Sequence, residues 1–102
     1  MTRDEETYFL RLMQVADRDT LLEHFTLKEH LTNADGSREM RFEAHYGHDE
    51  GSLNIKYDAQ TRELLICEMN VGFPTMIGLN RSPLELRILC EHVLDLLGDL
   101  DA

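Results

Sequence analysis

The chain has 102 residues, 42% hydrophobic and 29% charged, which sustains one domain over residues 1–102 and is too short for two. Twenty acidic against ten basic residues give a formal charge of −10, spread along the chain, so contact with nucleic acid phosphates is disfavoured and a basic partner would be attracted. No apolar run approaches a membrane span, and Cys67 and Cys90, which lack CxxC or CxH spacing, read as buried thiols of a reducing compartment, so a cytoplasmic protein is expected.

The first element is a helix over residues 3–16. Thr2 and Glu5 form a capping box, and Phe9, Leu12, Met13 and Ala16 recur at helical spacing as one apolar stripe. Asp17-Arg18-Asp19 interrupts it. A helical turn at 20–23 then leads into a strand, because period two puts Phe25, Leu27 and Leu31 on one side and His24, Thr26, Lys28 and His30 on the other. Asp35-Gly36 supplies the turn chemistry of a hairpin. The second strand alternates Met40, Phe42, Ala44 and Tyr46 with Arg41, Glu43 and His45, which describes a sheet with one buried and one wet face. Pairing Leu31 with Met40 would set Thr26 opposite His45, with His24 as its diagonal neighbour.

The stretch "GHDEG" is the next turn, and Leu53, Ile55 and Tyr57 continue the buried set. Asp58 can hold the following turn closed through its carboxylate. Lys56 is expected to pair with Glu63 and Ile55 with Leu64. In that register Leu64 and Ile66 face the core, while Leu65, Cys67, Met69 and Val71 lie on the side that the other strands make polar. The last helix opens with Ser82 as cap, Pro83 at its first position and Glu85, and runs to Leu97 before Gly98. Leu86, Leu89, Cys90, Val93 and Leu97 line one face, and Leu84 and Ile88 widen it.

These elements predict an α+β fold, a two-layer sandwich of an N-terminal helix, a four-stranded antiparallel meander and a C-terminal helix. Residues 75–79 could add a short fifth edge strand. The segment 69–80 carries no charge. With the second face of the fourth strand it suggests an apolar interaction patch of Leu65, Met69, Val71, Phe73, Met76, Ile77 and Leu79. The function expected from this patch is a small noncatalytic interaction module of the adaptor, chaperone or inhibitor type. Its partner would be a second copy of itself or another protein, with neither nucleic acid nor membrane involved. The alternative is a small-molecule or metal-binding domain that uses the pocket between sheet and helices, or the wet face at His24 and His45 with zinc or nickel. No nucleophile elbow, phosphate-binding loop or thiol–imidazole pair stands out, so no catalytic residue and no cofactor is assigned.

Overall fold

A computed structural model describes residues 3–46, 49–71 and 83–101. Among these residues three helices and four strands follow in the order α1 (Arg3–Gln14), α2 (Arg18–His24), β1 (Phe25–Thr32), β2 (Ser37–Tyr46), β3 (Asp49–Asp58), β4 (Leu64–Val71) and α3 (Pro83–Leu97). The strands form one antiparallel sheet in chain order, and the helices lie at the two ends of the sequence. This is the expected α+β meander. The expected cap residues Thr2 and Ser82, residues 47–48 of the expected 47–51 turn, and the fifth strand at 75–79 lie outside the described residues, and residues 49–51, expected in that turn, belong to β3.

On α1 the core side is Phe9, Leu10 and Met13, all buried, whereas Leu12 is 43% exposed. At about 100° per residue those three fall within one arc of about 100°, so Leu10 takes the inward place expected of Leu12. The helix also ends at Gln14 rather than at residue 16. Asp17 caps α2 by accepting the Thr20 N–H at 2.8 Å, and the helix continues to His24, longer than the single turn expected. It buries Leu21 before Phe25 takes up extended geometry.

Of the three turns expected, those at Asp35-Gly36 and Asp58 are present. Asp35 Oδ1 accepts the Ser37 N–H at 3.0 Å beside Gly36 at φ +88°, a conformation that suits glycine. Asp58 Oδ1 accepts the N–H groups of Gln60 and Thr61 at 2.9 and 3.0 Å. The buried row Met40, Phe42, Ala44, Leu53, Ile55 and Tyr57 meets Leu86, Leu89, Cys90, Val93 and Leu97 of α3 in one core.

Two irregularities change which side chains face that core. In β1 the register shifts between Leu27 and Glu29, so that His30, not Leu31, pairs with Met40. An extra residue in a strand reverses the alternation beyond it. The His30 side chain is therefore 1% exposed and Leu31 is 39% exposed, the reverse of the expected order. In the β3–β4 hairpin the Asp58 N–H bonds to the Glu63 carbonyl and Tyr57 pairs with Leu64, two places from the expected register. A second shift then pairs Lys56 with Ile66, Ile55 with Cys67 and Leu53 with Met69. Leu64 and Met69 are buried, Cys67 is half-buried, and Leu65 and Ile66 are both exposed.

The inward turn of His30 ties residues 100–101, which follow α3, to the sheet. Its Nδ1–H is donated to the Leu100 carbonyl, and Nε2 shares a hydrogen bond of 2.9 Å with the Tyr57 hydroxyl. Arg38 lies 3.6 Å from Asp101. Across the helical layer, His92 donates to the Ala16 carbonyl at 2.6 Å, and Arg18 donates to the Leu96 carbonyl and to Asp99 at 3.1 Å. Among the described residues no helix is long and apolar enough to cross a membrane.

Candidate functional site

The open face of the sheet and the outer edge of β4 form the candidate surface. The helices cover the other face, so side chains of the opposite parity point away from the core. Register places Leu31, Glu39, Lys56 and Ile66 in one cross-strand row, and Glu29, Arg41, Asn54 and Glu68 in the next. Arg41 donates to Glu29 at 2.9 Å and to Glu39 at 3.0 Å, and Lys28 meets Glu43 at 3.0 Å. The hydrogen bond to Glu39, assisted by the charge of Glu29, raises the Arg41 pKa, and Lys28 lowers that of Glu43. A shallow hollow of about 340 Å³ lies over Arg41, Lys56, Ile66 and Glu68. Its cations stand beside acidic neighbours, so the centre of this face is an internally balanced charge mosaic.

The expected patch is only partly brought together. Leu65 is 50% exposed, as expected, and Ile66, expected in the core, is 45% exposed beside it. Met69 is 1% exposed. This corrects its place in the patch, because the register shift turns it toward the helices. Val71 pairs with Gly51 at the far end of β4, and Phe73, Met76, Ile77 and Leu79 lie outside the described residues. Elsewhere Tyr8 and Leu12 are exposed on α1, Val15 just after it, and Leu84 and Ile88 on α3. A wider groove of about 700 Å³ runs along α3 past Arg62, Ile88 and Asp95.

The two edges of the sheet differ in kind. β1 carries Lys28 and Glu29, charges that discourage a further strand from pairing, whereas a register shift is common to both edge strands, between Leu27 and Glu29 in β1 and at Leu65 in β4. β4 reads Leu-Leu-Ile-Cys-Glu-Met-Asn-Val, with one charge in eight residues. Among the described residues it pairs only with β3.

The histidine pair is corrected as well. His24 sits in α2, where Nδ1–H is donated to the Thr20 carbonyl at 3.1 Å and the ring lies 5.6 Å from that of Phe9. His45 stays on the open face, with Nε2 3.4 Å from Thr26 Oγ1 and 3.9 Å from Glu43. Its other neighbour is Glu50, directly opposite in the β2–β3 register. Ligand atoms of Glu43, His45 and Glu50 lie within 4.8 Å of one another. Glu50 is missed when residues 47–51 are read as turn. A connection of two residues would have put it opposite His45. Compared with protein-family models, with curated proteins and with solved structures, the chain matches none.

Proposed function

We propose that this protein is a small acidic, noncatalytic interaction module that self-associates by pairing β4 with β4 of a second copy. The observation that carries the reading is the outer edge of β4, where Leu65 and Ile66 are exposed side by side on a nearly uncharged strand that ends the described sheet. Antiparallel pairing of two such edges is self-complementary under a two-fold axis, satisfies backbone N–H and C=O groups, and removes apolar area from water. The same edge could receive an extended segment of another protein, which would give an adaptor or inhibitor role. A cytoplasmic setting belongs to this proposal and is supported by the two free thiols.

The test is the solution mass by light scattering over a concentration series, with Leu65→Asp/Ile66→Asp as the variant. The expected result is a wild-type dimer and a variant monomer with an unchanged circular dichroism spectrum, since both side chains are already solvated in the single chain. Wild type that stays monomeric throughout, or a folded variant that still dimerises, refutes the β4 interface.

A second reading, metal binding, is favoured by the convergence of Glu43, His45 and Glu50. One imidazole and two carboxylates suit zinc or nickel with water completing the shell. Zinc titration by calorimetry is expected to show one site per chain that His45→Ala abolishes. Equal heats from wild type and variant overturn it.

A further inference from the structure

We propose that Cys67 and Cys90 are an oxidisable pair, in which a hydroperoxide converts Cys67 to a sulfenic acid and Cys90 resolves it into a disulfide joining β4 to α3. They are the chain's two cysteines. They are not adjacent in sequence; the register shift in β4 brings them together by turning Cys67 to the helical side of the sheet, opposite Ile55. There it packs against the core in which Cys90 of α3 is fully buried, and the two thiols share a side-chain hydrogen bond.

The pair is asymmetric in the way the chemistry needs. Cys67 is half-buried and so open to a small oxidant, whereas Cys90 is fully buried. The hydrogen bond from Cys90 lowers the Cys67 pKa to about 7, against the opposing effect of burial, with help from Arg87 and opposition from Glu91 and Glu68. The same hydrogen bond, together with burial, raises Cys90. The more accessible sulfur is thus the one that ionises, and the thiolate is the nucleophile toward peroxide.

The steps balance without any further reagent. The Cys67 thiolate attacks one oxygen of hydrogen peroxide; the S–O bond forms, the O–O bond breaks, and the departing hydroxide takes up the thiol proton to leave as water. The Cys90 thiol then attacks the Cys67 sulfur; the S–S bond forms, the S–O bond breaks, and hydroxide leaves with the Cys90 proton as a second water. Two electrons pass from the thiol pair to the peroxide.

The experiment treats the full reduced chain with hydrogen peroxide, quenches with iodoacetamide, and reads intact mass and peptide maps. Wild type is expected to lose both alkylatable thiols, to become lighter by two hydrogens, to yield a cross-linked peptide containing Cys67 and Cys90, and to recover on adding dithiothreitol. Cys90→Ser is expected to stop at a sulfenic acid that dimedone traps on Cys67. Because Cys90 is a core residue, Cys67→Ser serves as the second variant, at a half-exposed position, and is expected to leave Cys90 unreactive. Retention of both thiols in wild type overturns the proposal. So does a Cys67 sulfinic acid formed without the cross-link, a disulfide formed only between chains, or oxidation of Cys90 in Cys67→Ser at the wild-type rate.

Discussion

Asp35 and Asp58 each use one carboxylate oxygen to close a turn by accepting bonds from residues two or three places ahead. Hydrogen bonds from Ser37 lower the Asp35 pKa, and backbone N–H groups of Thr61 and Gln60 lower that of Asp58. A carboxyl group whose folded value lies below its ordinary 3.8 adds stability that is present above that value and is lost as pH falls through the folded value. Asp58→Ala is therefore expected to be less stable than wild type at pH 7, with the difference shrinking as pH drops below 3.8. Urea denaturation followed by circular dichroism at several pH values measures this, and a gap that stays constant to about pH 2 contradicts it. These aspartates were legible in the sequence because their partners lie within three residues. His30 was not. Its burial depends on a bulge one turn of the pleat earlier and on a carbonyl at Leu100, and neither leaves a local trace.

At the scale of elements, β2 and β4 show what alternation can and cannot report. In β2 each apolar residue is flanked by a charged or polar one, so its phase could be read directly, and Met40, Phe42 and Ala44 are buried as expected. The run Leu64-Leu65-Ile66-Cys67 is apolar at every position and carries no phase at all, so a shift beside Leu65 was invisible. The structural outcome makes a quantitative contrast. Met69→Ala is expected to cost about 2–5 kcal/mol as a buried truncation, whereas Leu65→Ala should change stability by less than about 1 kcal/mol. Chemical denaturation of both variants decides it, and equal losses would mean that the strand uses the other register. The helices divide similarly. The position of α3 followed from Pro83 and Gly98, whose N–H bonds to the Leu94 carbonyl at 2.9 Å, while α1 offered apolar residues on more than one side and Leu10 was passed over for Leu12.

On the scale of the whole molecule, the charge of −10 opposes any pairing of two copies. The β4 edge holds a single glutamate, so the repulsion there is mainly long-range. Such repulsion is screened as the Debye length falls from about 30 Å at 0.01 M salt to about 8 Å at 0.15 M. The proposed dimer is therefore expected to tighten with added salt, measured in the same light-scattering series; weakening with salt would point instead to an interface built on charge pairs. The α+β architecture could be read from the order of elements, but the candidate surface could be read only in part. Leu65 was found, Ile66 and Glu50 were not, and Met69 belonged to the core.

The docking of residues 92–101 onto Ala16, Arg18 and His30 also sets an order of events during synthesis. A growing chain can close the meander once β4 has emerged, but the Ala16 carbonyl, the Arg18 guanidinium and the His30 ring meet partners 70 to 81 residues later in sequence. Contacts of such long sequence separation form late and slowly. The nascent protein therefore carries an open core until residues 92–101 have emerged, and the core closes when α3 and the residues after it dock rather than element by element as the strands appear.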